Sequence, residues 1–245
     1  MTVVRFTDGK VLVGVAVEGS RSVPGQVLRD AYLEEVARLT LGLFRIRDGS
    51  VYLGPLELMR FGPASVTRDA VEWPIEGGIL ARGAGGRWRI ESAGGRLEAT
   101  VEGYRPSLPL PLYAVTQLPV HRLFTRLFLL RVRGRDPAPG IPAAPDDRLR
   151  AAAIDLAFCA TLAGLMGTRR NPRVLLGVVA GYHIACWTIS GRTLGGVVMK
   201  QRVVSIDGSR PTLEQSILRV LLSPLVLVGR RIVRDELAGT DVVSE

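Results

Sequence analysis

The chain has 245 residues, enough for one large or two small domains, with a net charge of +9 and 47% apolar residues. Its arginines alternate with acidic residues in the first half and become denser from Arg122 to Arg150 and beside the apolar runs. This distribution favours a membrane surface and argues against nucleic acid, because binding a duplex requires a continuous basic stripe.

Residues 1–133 have the pattern of an α+β domain. Valines at alternate positions within 1–19 predict a strand, and apolar residues at three- and four-residue steps after Pro24 predict a helix. Glycine pairs then separate short strand candidates, as in a meander of antiparallel hairpins. The candidates lie at 51–61, 66–75, 78–82, 86–92 and 95–104. We expect a sheet of about five or six strands.

Residues 112–133 combine an apolar face with a basic one, and the charges in the middle argue against a transmembrane helix. A core helix that closes the sheet and a helix that lies on the membrane surface both fit. Residues 134–147 contain four prolines and two glycines, which predicts a linker between two domains. The first residues lack a basic segment followed by an apolar core, so we expect no signal peptide and a cytoplasmic first domain.

Two apolar runs follow the linker. Residues 149–166 contain only Arg150 and Asp155 as charged residues, and residues 174–191 contain no formal charge. At 1.5 Å per residue each run covers about 27 Å, close to the hydrocarbon thickness of a bilayer. We therefore expect two short transmembrane helices joined by a tight hairpin.

A third apolar run at 217–229 is interrupted by Arg219 and Pro224. It is too short to span a bilayer comfortably, which favours a re-entrant or interfacial segment while a third crossing stays open. The fold class expected for the whole chain is an α+β domain at 1–133 followed by an all-α transmembrane module at 148–245.

Three segments of this second region resemble one known family in the same order. They read DRLRAAAID at 147–155, SGRTLGGVVMKQRVV at 190–204 and RRIVRDELAGTDVV at 230–243. Together they resemble the RDD family of bacterial membrane proteins, which is named for one arginine and two aspartates. Either Arg148 or Arg150 fits the family's arginine.

The resemblance implies an integral, multi-pass protein of the cell membrane, and some members of the family are proposed to exchange sodium or protons. It does not cover the first domain. The order of strand, helix, meander and long helix there is similar in outline to helix-grip, START-like ligand-binding folds, without a motif to support it.

Asp155 is the first candidate functional residue, because a carboxylate within a spanning helix is costly and usually faces a partner or water. If the hairpin turns near Arg170 and Asn171, His183 lies about one helical turn from the level of Asp155, an axial offset of about 4.5 Å. In this arrangement the two residues can form a proton-carrying pair. Alternatively, Asp155 sits near the interface and pairs with Arg148, Arg150 or Arg192, and His183 bonds a neighbouring carbonyl.

Asp235 is the second candidate. It either belongs to a solvated basic tail or folds back to meet Arg192 or Arg202, closing an Arg–Asp network that fixes the hairpin. Near Arg192, Thr193 and Gly195 belong to a small-residue segment that allows helix backbones to approach closely, and we interpret this segment as a packing site.

Trp73, Trp88 and Tyr104 lie on strand candidates, where they either pack the core or line a ligand cavity. The sequence shows no phosphate-binding loop, no dinucleotide fingerprint and no zinc motif. Its histidines, His121 and His183, fall in different domains, which argues against a Ser–His–Asp site. We therefore predict no catalytic residues, no metal site and no cofactor.

Two functions fit these patterns. In the first, the helical module moves an ion or solute, or supports such a system, and the first domain is a cytoplasmic sensor. Two or three short helices cannot enclose a pathway, so this reading expects a homo-oligomer or a membrane partner besides the lipid bilayer. In the second, the helices anchor a domain that holds an apolar ligand or a protein, which predicts an empty apolar cavity under the sheet.

Overall fold

A computed structural model describes residues 2–19, 21–40, 42–47, 49–165, 171–227 and 231–245. The chain divides into two compact units, Met1–Asp136 and Pro137–Glu245.

The first unit is built on an antiparallel sheet, and the expected α+β class is confirmed for it. Among the described residues the strands are Thr2–Thr7 (β1), Lys10–Glu18 (β2), Phe44–Arg47 (β3), Ser50–Leu53 (β4), Leu56–Phe61 (β5), Ser65–Val66 (β6), Ala70–Gly77 (β7), Gly86–Ala93 (β8) and Arg96–Tyr104 (β9). Their order in the sheet is β1-β2-β9-β8-β7-β5-β4-β3, and β6 pairs with β7.

The sheet has more strands than the expected five or six. Residues 1–19 form two strands rather than one, because Asp8 and Gly9 adopt positive φ and turn the chain. Phe44–Arg47 adds a strand at the far edge that the sequence pattern did not indicate. The expected strand at 78–82 is wrong, since this segment is a turn with a single bridge between Ala81 and Pro106.

Two helices cover one face of this sheet, Gly25–Leu39 (α1) and Leu110–Arg133 (α2). Helix α2 packs on β2 and β9, and its residues from Leu127 to Leu130 are buried. Of the two interpretations of this segment, the structure therefore supports a core helix that closes the sheet.

Tyr32 of α1 stands at the centre of the aromatic core. Its ring centroid lies 5.1 Å from that of Trp73, 5.9 Å from Trp88 and 5.6 Å from Phe128 of α2. Tilted and edge-on contacts of this kind are favourable because the ring edge is positive and the ring face negative. The core of the unit thus joins both helices to β7 and β8.

The second unit contains six helices and two strands among its described residues. They are Pro145–Leu165 (α3), Pro172–Ile189 (α4), Leu194–Val198 (α5), Gln201–Ser205 (β10), Leu213–Leu221 (α6), Pro224–Leu227 (α7), Arg231–Leu237 (α8) and Thr240–Ser244 (β11). The expectation of an all-α module is wrong here, because β10 and β11 pair as an antiparallel ribbon. Valines in both strands favour this extended conformation.

Helix α4 is the one helix of the described residues that is long and apolar enough to cross a membrane. Its mean hydropathy is 1.2 over 18 residues, and only 6% of that span is buried. Helix α3, the other expected crossing, does not qualify; Arg148, Arg150 and Asp155 all lie within it.

The remaining expectations for this unit concern the turn between α3 and α4 and the apolar run at 217–229. Most of the hairpin turn expected between α3 and α4 lies at 166–170, outside the described residues. The apolar run at 217–229 forms the end of α6 and all of α7, and its last two residues also lie outside the described part. A break at 222–223 separates these two helices, so the described part of the run is not one continuous helix.

Candidate functional site

Asp155 lies in the middle of α3 and is only 3% exposed. Its Oδ1 accepts a hydrogen bond from the Tyr182 hydroxyl of α4 at 2.9 Å and another from the Gly195 backbone N–H of α5 at 2.8 Å. Its Oδ2 lies 3.8 Å from Nε2 of His183. Of the two arrangements considered from the sequence, the structure therefore has the one in which His183 lies beside Asp155.

Side chains satisfy the first backbone N–H groups of α5. Thr193 precedes this helix, and its hydroxyl accepts from the Gly196 N–H at 3.1 Å. The Leu194 N–H donates to the Tyr182 hydroxyl at 2.6 Å, and the Gly195 N–H donates to the carboxylate described above. Because these N–H groups have no partner within the helix, this set of acceptors fixes where α5 begins.

Gly195 is the point of closest approach between α5 and α3. A Cβ built on this residue would lie 2.1 Å from the carbonyl oxygen of Ala151, well inside van der Waals contact. Only glycine fits without a backbone shift, and the small-residue segment at 193–196 is thus a packing contact, as we interpreted it from the sequence.

The hydrogen bonds of His183 determine where its proton lies. Its Nδ1 is 2.8 Å from the carbonyl oxygen of Val179, one turn earlier in α4. A carbonyl only accepts, so Nδ1 carries a hydrogen and the neutral ring presents an unprotonated Nε2 to Asp155. The pair can therefore hold one additional proton, either on Nε2 or on the carboxyl group.

The other arginines singled out from the sequence have different partners from those expected. Arg150 lies 3.5 Å from Asp147 on an exposed face of α3. Arg192 and Arg202 both contact Glu245, with Arg192 Nε at 3.0 Å and Arg202 Nε at 3.5 Å. The alternative in which Asp235 meets Arg192 or Arg202 is therefore wrong, because Glu245, directly after β11, contacts these arginines instead.

Asp235 of α8 is buried in a separate cluster of three arginines. The guanidinium of Arg219 lies 2.8 Å from its Oδ1, that of Arg234 lies 2.9 Å from the same oxygen, and Arg148 of α3 bonds Oδ2. An Arg–Asp network thus exists, but with other members than the sequence indicated. Burial acts to raise the pKa of Asp235, but Arg219, Arg234 and Arg148 outweigh it and hold this pKa below its ordinary value.

Arg219 has a buried role in this cluster that the sequence pattern did not indicate. It is 1% exposed, its guanidinium lies 5.1 Å from the centre of the Trp187 ring, and it donates to the Thr240 hydroxyl. In the sequence it stands out only as an interruption of an apolar run. The signal was nevertheless present, since an arginine inside such a run requires a buried counter-charge.

A cavity of about 710 Å³ lies beside both clusters. Asp155 lines it from α3, and His183 and Trp187 line it from α4. The other charged side chains of its described lining are Arg148, Arg202, Arg219 and Arg234. The two clusters therefore face one common space within the second unit.

The first unit has a cavity of its own, of about 330 Å³, between the sheet and its two helices. Its lining is largely aromatic and aliphatic and includes Trp88 and Tyr104, whereas Trp73 does not contribute to it. Among the described residues of the chain, no group of three histidine, cysteine, aspartate or glutamate side chains is placed to hold a metal ion.

The family model described as the RDD family matches residues 174–233. This range includes His183, Arg192, Thr193 and Gly195, and it confirms the family resemblance for this part of the chain. No curated protein and no solved structure matches the chain.

Replacing Gly195 with alanine should open the contact between α3 and α5, at a cost of about 1–3 kcal/mol typical of overpacking. Hydrogen–deuterium exchange is expected to be faster than in the wild type at the amides of 194–196, since their acceptors would move away. Gly177→Ala is the matched control, because nothing lies within 4 Å of the Cβ that it adds. Equal exchange in the two variants would contradict the contact.

The variant Asp235→Asn should destabilise the second unit by about 3–5 kcal/mol, because Arg219 would stay buried without its counter-charge. The folded pKa of Asp235 is depressed, so its stabilisation is present above the ordinary pKa of about 3.9 and is lost as the pH falls through the lower folded value.

Thermal unfolding in detergent, followed by tryptophan fluorescence between pH 3 and pH 7, measures both effects. The wild type should lose stability at the acid end, whereas Asp235→Asn should lack this component. Asp146→Asn, at an exposed position of α3, should behave as the wild type. Parallel pH profiles for the wild type and Asp235→Asn would count against the cluster.

Proposed function

Because its C-terminal part carries an RDD-family region at 174–233, we propose that this chain is a multi-pass integral membrane protein that moves an ion or solute, or supports a system that does. In this proposal the first unit is a cytoplasmic sensor. The second unit assembles with further copies of the chain or with a membrane partner. The family match supports the membrane location.

Exposed apolar side chains support the same location. Leu156, Phe158 and Leu162 of α3 are 55%, 40% and 39% exposed, and Leu176 of α4 is 70% exposed. Contact of such surfaces with water is unfavourable by about 25 cal/mol per Å². Lipid or a second copy of the chain would remove this cost.

The pair formed by Asp155 and His183 carries the transport proposal. Since the pair can hold one extra proton and lines the cavity, a proton can enter from the cavity, bind to the pair and leave again. Tyr182 keeps Oδ1 engaged, so the proton is exchanged through Oδ2 and Nε2.

The charges around the cavity favour a proton over a metal cation. Among the described residues, its lining includes four arginines and a single aspartate. A metal ion would be repelled by this excess of positive charge, whereas a proton on the buried pair is held by direct bonding to oxygen or nitrogen.

The test is proton flux into liposomes that contain the purified protein, driven by a potassium diffusion potential and followed with an enclosed pH-sensitive dye. Asp155→Asn should reduce the flux at least tenfold, to the level of empty liposomes, because the amide takes up no proton at these pH values. Its oxygen still accepts from Tyr182 and Gly195, so insertion and helix content should be preserved.

Asp146→Asn on the same helix is the control and should retain the wild-type flux. Full flux through Asp155→Asn would exclude the proton pair as the pathway. Repeating the measurement with an opposing sodium gradient separates a proton channel from sodium–proton exchange.

A second function is a membrane-anchored binding module, and the cavity in the first unit favours it. This cavity lies under the sheet, as expected for a ligand-binding domain, and its volume of about 330 Å³ falls within the range of small-molecule sites. In this reading the second unit anchors the domain that holds an apolar ligand.

The uncharged fluorophore N-phenyl-1-naphthylamine should bind saturably to the full chain in lipid nanodiscs if this second function is correct. Met59→Trp should weaken the binding at least tenfold, because this side chain lines the cavity and a larger one would occupy it. Leu112→Trp adds the same indole at an exposed position of α2 outside the lining and should bind as the wild type. Identical titrations for the three proteins would exclude the cavity as a binding site.

A further inference from the structure

The cavity of the first unit is enclosed by two different kinds of wall. One wall consists of apolar side chains such as Val51, Phe61 and Ile75 from the sheet, together with Val36 of α1. The other wall belongs to α2 and is partly polar. The cavity therefore has an apolar side and a partly polar side.

Gln117, His121 and Thr125 form the polar wall. They are spaced four residues apart along α2, so they lie on one face of this helix, and all three line the cavity. Across from them stands Trp88 of β8, whose ring lies edge-on to His121 with centroids 5.6 Å apart. These four side chains are defined here as the polar stripe.

Each residue of the polar stripe has a buried polar atom without a hydrogen-bond partner among the described residues. The four atoms are Trp88 Nε1, Gln117 Oε1, His121 Nε2 and Thr125 Oγ1. Trp88 and Thr125 are 3% and 1% exposed. Buried polar atoms of folded proteins are nearly always hydrogen-bonded, so four orphaned atoms in one cavity indicate a missing polar partner.

The lining excludes a charged partner. It contains no aspartate, glutamate, lysine or arginine among the described residues. Burial lowers the pKa of His121 to about 4, so the imidazole is neutral at physiological pH. A carboxylate or ammonium group would enter this cavity without a counter-charge, which is strongly unfavourable.

The orphaned atoms also specify the hydrogen bonds that a partner must make. The indole N–H of Trp88 can only donate, and Oε1 of Gln117 can only accept. The partner therefore needs a group that accepts one hydrogen bond and donates another. A hydroxyl is the smallest group that does both.

We propose that the first unit binds an uncharged, largely apolar molecule with a hydroxyl group, which accepts a hydrogen bond from Trp88 and donates one to a polar side chain of α2. The apolar body lies against the sheet and the hydroxyl against the polar stripe. This inference rests on the second proposed function and adds the chemistry of the ligand to it.

The test compares four matched compounds as competitors of N-phenyl-1-naphthylamine on the full chain in nanodiscs. They are 2-naphthol, naphthalene without the hydroxyl, 2-methoxynaphthalene that only accepts, and 2-naphthoate that is charged. Empty nanodiscs correct for partition of the compounds into lipid. The Met59→Trp variant measures the probe fluorescence that does not arise from binding in the cavity.

We expect 2-naphthol to displace the probe at a concentration about tenfold lower than naphthalene, as one to two hydrogen bonds imply. The methoxy compound should lie between these two, and the naphthoate should compete least. Equal displacement by 2-naphthol and naphthalene would overturn the inference, while leaving the binding of apolar molecules intact.

Variants of the polar stripe provide a second, independent measurement. Thr125→Val and Gln117→Leu remove an orphaned polar atom at similar side-chain volume, so the empty protein should unfold at the same or a higher temperature. The advantage of 2-naphthol over naphthalene should fall about three- to tenfold, with naphthalene binding unchanged. An unchanged advantage in both variants would exclude the stripe as the site of recognition.

The two proposals fail in different ways. If the probe gives no saturable difference between the wild type and Met59→Trp, the cavity binds nothing and the second proposed function is itself wrong. If the probe binds but the four compounds compete equally, only the hydroxyl specificity is wrong.

Discussion

The carboxylate of Asp155 holds three helices of the second unit at a single point. One of its oxygens joins α4 through Tyr182 and α5 through Gly195. Burial of a charged carboxylate is costly unless hydrogen bonds replace its water shell, so these two donors are a condition for its position inside the unit. The place of His183 follows from the same geometry, because it is the next residue of α4 after Tyr182.

Trp187 connects this site to the second cluster. Its ring lies 4.9 Å from that of His183 and 5.1 Å from the guanidinium of Arg219. The Asp155 pair and the Arg219–Asp235 cluster therefore share one aromatic wall as well as one cavity. A positive charge on His183 would repel that of Arg219, because both groups contact the Trp187 ring.

Sequence patterns were informative where the structure is local. The period of apolar residues predicted α1, and the fixed rise of a helix put His183 within about one turn of Asp155 in one of the two arrangements considered. Contacts between distant segments were not accessible in this way. The pairing of β10 with β11 and the partners of Arg219 both depend on residues brought together only by the folded unit. The orphaned polar atoms of α2 could likewise not be predicted, because their burial depends on the packing of this helix against the sheet.

The ribbon of β10 and β11 has a consequence for the order of assembly during translation. Strand β10 emerges from the ribosome before α6, α7 and α8, and its backbone has no partner in the ribbon until Thr240–Ser244 has been synthesised. Arg219 also precedes Asp235 and at first has no buried counter-charge. Helices α3 and α4 are thus synthesised before the charged interior of this unit can close, and the last strand completes the unit afterwards.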